Sequence, residues 1–596
     1  MVRLQDFDLI SYSRPRFFPD EKPLDNIIGF DSEAYQDGST FMFCTSEGDV
    51  IPPEHLIDFL FDNYSKTNFV TWNLKYESGA ILKLFPREII KSLQLFHKTE
   101  LVYNKKKYKL SYVPHKKLTI HHVAFAGVSI HFWDMSPFYG RCRLGDASET
   151  YLKESKEEAD VKSFSPEYVK IHYDEISRYC IKDALLTKNL SLLWIDKFQQ
   201  TGVPVTSLYS EASISFSYIS RKTEIVTPFE YWDTNKKLMR LAFESYEGGK
   251  FEILKRGSFQ GTEYDISSAY PYEIANLIDI RDSEVVYSRA YIKEAVYAFL
   301  RVHIKLTNPD VRLPCGIFRT KRLYPMGEYY LTITKQEYDY ITTEITVRGL
   351  SIEILDGAWL VVRKVKYPYK EVISELYALK SKWKPKDRLR SNNYKIIMNG
   401  FYGKMAQCIS ALDGTYKAGR GWNPLYASII TANTRIAVTR LQNLLGRDCL
   451  AVHTDSVIVT KTIPDRFLGI GLGMFEKVEE GPCTLIACGI YEIAGVSALK
   501  GFKKYSVTSI LRENPGVMKI KVKIEDFVQS WLMVMAQNHN VSDINVFKDL
   551  LKALKLNCDT KRIWPFPMTS DQFLNSLQSS YPLTEQQDKK PLYWKE

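Results

Sequence analysis

Two acid-bearing apolar stretches, far apart in the chain, constrain the fold more than any other feature. One is Tyr264-Asp265-Ile266-Ser267-Ser268-Ala269-Tyr270-Pro271. The other is Ala451-Val452-His453-Thr454-Asp455-Ser456-Val457-Ile458-Val459. Each Asp follows or interrupts an apolar run, so each is expected to end or turn a strand with its carboxylate aimed outward. Alone, either has a plain reading as a strand-end Asp that caps a turn. If the two strands are neighbours, the pair can hold two Mg²⁺ ions for phosphoryl transfer, because Mg²⁺ favours one or two carboxylates plus substrate phosphates.

Between the acids lies Lys395-Ile396-Ile397-Met398-Asn399-Gly400-Phe401-Tyr402-Gly403-Lys404. On a helix, Lys395, Asn399 and Tyr402 fall at i, i+4 and i+7 and share one face. A cation, an amide and a ring on one face suit a triphosphate, a polar surround and a nascent base pair. An amphipathic helix with an exposed Lys and a buried Tyr has the same spacing, but the flanking carboxylates favour the nucleotide reading. Nearer the N-terminus, Asp31-Ser32-Glu33 puts two acids on one side of a strand. Asn73-Leu74-Lys75-Tyr76-Glu77 adds an acid, and Tyr179 and Asp183 pair at i, i+4.

The length of 596 residues implies roughly four ordinary domains. A net charge of +10 permits a polyanionic partner without requiring one. The nine Cys contain no Cys-x-x-Cys pair, so reduced thiols in an intracellular compartment are expected rather than a zinc site. The N-terminus lacks the apolar run of a secretion signal, and no run of about 18 apolar residues exists, so neither secretion nor a membrane span is expected. Hydrophobic patterning predicts an α/β region over about 1–200, with a hairpin-like start at 27–50 and a long helix over 166–198. It further predicts a β-rich stretch at 294–365, two helices broken around Pro385, a helix over 424–446 and a hairpin turning at Thr454-Asp455.

Taken together, these motifs resemble family B DNA polymerases in order and spacing. Asp265-x-x-Ser268-x-Tyr270-Pro271 is similar to their first palm motif, Lys395-x-x-x-Asn399-x-x-Tyr402-Gly403 to the fingers motif, and Thr454-Asp455-Ser456 to the palm hairpin motif. The resemblance implies that Asp265 and Asp455 bind the metal ions, helped by the Ile266 carbonyl. It gives Lys395, Ser268, Asn399 and Tyr402 to the incoming nucleotide, and Tyr270 to excluding a 2′-hydroxyl. Asp31, Glu33, Glu77, Asp183 and Tyr179 resemble the proofreading 3′–5′ exonuclease of the same polymerases, with Asp31, Glu33 and Asp183 on its metals and Asn73 and Tyr76 on DNA. Lys162 is the candidate for an assisting lysine.

Tyr246-Glu247-Gly248-Gly249, the Thr431 to Arg435 element and the short chain narrow the resemblance to the protein-primed subgroup of small phages, viruses and linear plasmids. DNA contacts are then implied for Tyr246, Gly248, Gly249, Thr431 and Arg435, and for Tyr491, Lys500 and Lys503 beyond the hairpin. The implied fold is α/β and α+β multidomain. It runs as a ribonuclease H-like exonuclease domain (1–200), connector and first palm part with a terminal-protein-region insertion (201–365), fingers with a shortened second insertion (366–422), second palm part (423–509) and thumb (510–596). Expected ligands are Mg²⁺ or Mn²⁺ (two ions per active site), primer-template DNA, deoxynucleotides and a terminal protein supplying the priming hydroxyl. A monomer in the host cytoplasm is expected. Three departures stand out. Gly400 replaces a Ser and is expected to be tolerated, Glu77 replaces an Asp, and His453 replaces the first Asp of Asp-Thr-Asp. The last two leave open a polymerase-derived DNA-binding protein with lost or weak synthesis. A polymerase that extends RNA or starts without a primer is the other alternative.

Overall fold

Apolar strands separated by polar turns build two large sheets in the computed structural model, which describes residues 4–13, 15, 22–124, 128–318, 321–410, 415–499, 502, 505–527 and 547–584. The N-terminal sheet has eight strands, ordered Val50–Ile51, Thr40–Thr45, Ile27–Ala34, Asn68–Thr71, Ser129–Asp134, Lys117–His122, Lys106–Val113 and Lys98–Tyr103. Its three central strands, Ile27–Ala34, Asn68–Thr71 and Ser129–Asp134, run parallel. One face packs around Phe30, Phe43, Phe69 and Phe132. The other receives the helix Pro166–Gln199, begun by Pro166 in its first turn and by the Ser165 side chain, which accepts from the Tyr168 amide. That helix lies so close to the strand that a Cβ on Gly29 would sit 1.8 Å from the Ala184 carbonyl oxygen. This contact fixes the helix over the acids of the same strand.

The second large sheet runs Lys250–Ile253, Cys449–Thr454, Ser456–Val459, Lys255–Ile266, Phe475–Ala487, Ile490–Ile493 and Val496–Leu499. Asp265 pairs with Ser456, so the two acid-bearing stretches are neighbours across one ladder. Behind the sheet, the helix Pro424–Leu445 supplies Val438 and Leu441 to a core with Tyr264, Ile266, Val452 and Val457. Alternation then turns Glu263 and Asp265 to the opposite, open face.

Around this sheet lie four further units among the described residues. A four-stranded sheet, Ser283–Tyr287, Leu350–Val362, Tyr297–Leu306 and Gly327–Thr334, carries its own core. The helices Lys370–Trp383 and Arg388–Met405 stand antiparallel beside the strands that carry Asp265 and the 454–455 turn, and the Arg390 guanidinium lies 3.8 Å from the Trp383 ring centroid. The chain then makes a short hairpin, Cys408–Ser410 with Tyr416–Ala418, joined in parallel by Ile10–Ser11. After Leu499 it forms the helix Val507–Glu513 and the hairpin Lys519–Phe527 with Phe547–Lys555, and returns as Leu577–Ser579 to the edge of Lys255–Ile266. All nine cysteines are unpaired. No helix among the described residues is long and apolar enough to cross a membrane. Lys500 and Lys503 lie outside the described residues.

Candidate active site

Asp265 ends its strand on the open face, and the Asp455 turn abuts it: the Ile266 amide donates to the Asp455 carbonyl oxygen at 2.9 Å. Thr454 takes a left-handed φ of 58° so that the hairpin can turn in so few residues. Burial first, then the Asp455, Glu263 and Glu476 charges, push the Asp265 carboxyl up to about 7, while Lys395 pulls the other way. Burial also raises Asp455, with Glu263 adding to it. Repulsion among acids held on one open face is what a divalent cation relieves, so the donor set suits a hard cation.

The helix Arg388–Met405 delivers Lys395 and Asn399, both exposed, and half-buried Tyr402 to this face. The Tyr402 and Tyr270 rings lie 4.5 Å apart, and the Tyr402 hydroxyl meets that of Tyr246 at 2.6 Å. Ser268, with a left-handed φ of 54°, opens the helix that carries Tyr270. Its hydroxyl accepts from Lys380 Nζ at 3.0 Å. Lys380 lies on the preceding helix, Lys370–Trp383, among other lysines that are exposed.

Several residues expected to touch DNA do other work. Arg435 is fully buried: its guanidinium donates to the Glu247, Gly248 and Pro314 carbonyl oxygens and to Glu337. Thr431 is likewise buried and spends its hydroxyl on the Ala427 and Ser428 carbonyls. Neither can reach a nucleic acid: Thr431 bonds within its own helix, while Arg435 fastens that helix to the segment at 247–248. Gly249 makes room for the hairpin turn, since a Cβ there would stand 2.5 Å from Thr454 Cγ2. Gly248 is exposed with open space around its Cα. Tyr491 is half-buried on the open face, its hydroxyl 3.2 Å from Glu263. His453, expected uncharged unless paired with a carboxylate, has no such partner among the described residues. Burial, with Lys561 nearby, holds it down at about 4, so it is neutral at physiological pH.

A second acidic centre forms where Ile27–Ala34 meets the helix Pro166–Gln199. Donor atoms of Asp31, Glu33 and Cys180 lie within 4.8 Å of one another. Glu77 reaches Asp31 and shares a hydrogen bond with it, and burial followed by the Asp31 charge holds Glu77 well above the usual carboxylate range. Asp31 itself is pushed up to about 6 by burial against the pull of Lys156. Glu77 Oε2, Asp183 Oδ1 and Asp134 Oδ2 are buried with no hydrogen-bond partner among the described residues. Orphaned carboxylate oxygens converging in one place fit divalent cations. A lysine at this centre is Lys156; the side chain of Lys162 lies outside what the structure describes. Lys156 Nζ pairs with Asp183 and donates to the Tyr179 hydroxyl at 3.0 Å. It sits in a charge-rich loop where several lysines look alike in sequence. Tyr76 is half-buried near these acids, and Asn73 is exposed ahead of the helix Leu74–Leu82.

The chain matches the family model for DNA polymerase type B, organellar and viral, over residues 50–420. A curated relative, the DNA polymerase of Acidianus bottle-shaped virus (isolate Italy/Pozzuoli), is 24% identical over 334 residues, covering 53% of this chain and 47% of that protein. The chain thus spans about half the length of this curated relative. Among solved structures, Phi29 DNA polymerase complexed with primer-template DNA and incoming nucleotide substrates aligns at a TM-score of 0.63 with 13% identity, over 89% of this chain and 99% of that one. Its binary complex with primer-template DNA gives 0.61 at the same identity and coverage. The fold is thus that of a polymerase with an N-terminal exonuclease domain followed by palm, fingers and thumb.

Proposed function

Because the chain belongs to the organellar and viral type B DNA polymerases, we propose that it extends DNA primers on a DNA template and removes mispaired 3′ ends at its second acidic centre. The observation that carries the synthesis reading is Asp265 on its strand against the hairpin turn that carries Asp455, beneath a helix that presents Lys395. Primer-template DNA and incoming nucleotides, bound by the Phi29 enzyme in its solved complex, are the ligands this reading assigns.

Asp265 and Asp455, with the Ile266 carbonyl, would hold two Mg²⁺ or Mn²⁺ ions, which supply charge neutralisation for the attacking 3′-oxygen and the leaving pyrophosphate. Lys395 and Lys380 bring positive charge to the triphosphate, and Ser268 offers a hydroxyl between them and the catalytic strand. The Tyr270 ring, braced by Tyr402, lies where a sugar must pass and selects deoxynucleotides by bulk. Tyr491 seats the primer end, while Asn399, Tyr246 and Gly248 border the same open face. At the exonuclease centre, Asp31, Glu33 and Asp183 would hold the ions. Glu77 hydrogen-bonds Asp31, and Tyr179 with Lys156 orients Asp183. Asn73 and Tyr76 flank the entering strand. We further assign the priming hydroxyl to a terminal protein, on the strength of the Phi29-like architecture and the Tyr246 to Gly249 element.

Primer extension by the full chain with Mg²⁺ and Mn²⁺ tests the reading. Wild type is expected to extend and Asp455→Ala to lose synthesis while keeping exonuclease. An inert wild type would leave a DNA-binding derivative instead. Attachment of a deoxynucleotide to a co-encoded terminal protein tests the priming mode; extension of RNA or unprimed DNA alone would overturn it.

A further inference from the structure

The palm hairpin offers one carboxylate, because His453 occupies the position where the family carries its other Asp. The imidazole is 9% exposed, stacks on Tyr491 at 5.0 Å and 11°, and has Phe251 6.1 Å away on another side. Neither ring nitrogen has a partner among the described residues. This position is therefore a flat, neutral seat for an aromatic ring. An ionised Asp here would be buried without a donor.

A carboxylate stands nearby on another strand. Glu263 precedes Asp265 by two residues and shares its open face. It accepts from Ser456 Oγ, in the residue after Asp455, at 3.0 Å, and from the Tyr491 hydroxyl at 3.2 Å. Its charge is felt at both Asp265 and Asp455. Among the described residues no ion pair neutralises it. Two neutral donors thus orient a third carboxylate beside Asp265 and Asp455, a crowding of acids that divalent cations relieve.

We propose that Glu263 is the third acid of the synthesis site, standing in from the neighbouring strand for the carboxylate that position 453 lacks. It acts as a positioning residue in two ways. It ties the hairpin turn, through Ser456, to the primer-seating Tyr491, and it adds the charge that draws divalent cations to Asp265 and Asp455. The two changes are linked, since the Tyr491 hydroxyl meets Glu263 while its ring lies on His453.

The inference rests on the polymerase reading, and the experiment separates the two. Mn²⁺ binding is followed by electron paramagnetic resonance on the full chain, with Asp31→Ala present to remove the other centre's ions. Glu263→Gln keeps the shape and loses the charge. It is expected to weaken Mn²⁺ binding roughly 10- to 100-fold, and to lower kcat for primer extension at low Mg²⁺, recovering as Mg²⁺ is raised, with little change in nucleotide KM. Adding His453→Asp to Glu263→Gln is expected to restore none of this, since the new acid is buried under Tyr491. Tyr491→Phe should leave Mn²⁺ binding intact and raise KM for primer-template. Thermal melts verify that each variant folds. Wild-type Mn²⁺ affinity and low-Mg²⁺ synthesis in Glu263→Gln would overturn the proposal. Failure of wild type to extend any primer would defeat the polymerase reading instead, and the Mn²⁺ arm would still judge Glu263.

Discussion

Gly400 shows how one missing side chain sets the fingers. A Cβ there would meet Ser215 Cβ at 2.9 Å, the Glu211 carbonyl oxygen at 3.0 Å and Ala212 Cα at 3.1 Å. Two of these neighbours are backbone atoms of the helix Glu211–Lys222, which cannot swing aside as a long side chain would. The glycine is thus the contact surface between that helix and the one carrying Lys395, Asn399 and Tyr402. The Gly was expected to be tolerated in place of the family's Ser; here a Ser itself has no room. Gly403 is the natural control, because its Cβ would reach only Ala212 Cβ, at 3.8 Å. Gly400→Ser is expected to cost about 1–3 kcal/mol by overpacking and to raise nucleotide KM by displacing Lys395. Gly403→Ala should be neutral or stabilising by up to about 1 kcal/mol from helix propensity. Urea melts paired with nucleotide titrations check both. Equal stability of the two variants would show that the helices part easily.

At the scale of elements, the second acidic centre depends on one helix laid across one strand. Asp31 and Glu33 come from the strand, Tyr179 and Asp183 from the helix, and Lys156 from the loop before it. Burial lowers the Lys156 affinity for its proton, while Asp31 and Glu33 act to keep it charged. Lys156→Ala leaves Asp183 without its cation and Tyr179 without its donor. It is expected to slow 3′–5′ degradation of single-stranded DNA about 10²-fold, the scale of a misplaced group, with primer extension unchanged. A proportional loss of both activities would mean that the loop serves general stability. This centre also marks the limit of sequence reading. The acids were legible because strand and helix periodicities are fixed at 2 and 3.6. The lysine was not, because a loop has no period and nothing in the letters sets Lys156 apart from a neighbour such as Lys153. The same reason hid Glu263: acids on strand faces are common, and only its pairing with the hairpin gives this one a task. Arg435 misled in the opposite sense, since the family's motif letters do not record that its guanidinium points into the core.

Over the whole molecule, the C-terminal segment is fastened to the palm by charges buried on the far side of the catalytic sheet's edge. Arg562 Nη1 meets Glu252 Oε1 at 2.7 Å, with both side chains almost wholly buried, and Gln442 donates to the other oxygen at 2.9 Å. Arg256 reaches outward from the catalytic strand to the Phe566 carbonyl and to Gln578, each at 2.7 Å. Burial alone would raise Glu252, but Lys250, Arg562, Arg312 and Gln442 overcome it and hold the carboxyl down at about 2. Because the folded-state value lies below the ordinary 4.5, this group's stabilisation is complete above that pH and is lost as pH falls toward 2. Arg562→Ala removes one cation from a buried acid and is expected to cost about 3–5 kcal/mol at pH 7. The deficit should shrink as pH drops from 4.5 toward 2, where wild type also loses the Glu252 charge. Adding Glu252→Gln to Arg562→Ala removes the stranded charge and should recover part of the loss, which a double-mutant cycle of denaturant melts measures. The same arginine variant should shorten products per binding event more than it slows single-nucleotide addition, since the proposed metal-holding carboxylates, Asp265 and Asp455, lie elsewhere on the sheet. If single-nucleotide addition falls as steeply as product length, the palm and its C-terminal segment are one cooperative unit rather than a catalytic sheet with an attached clamp.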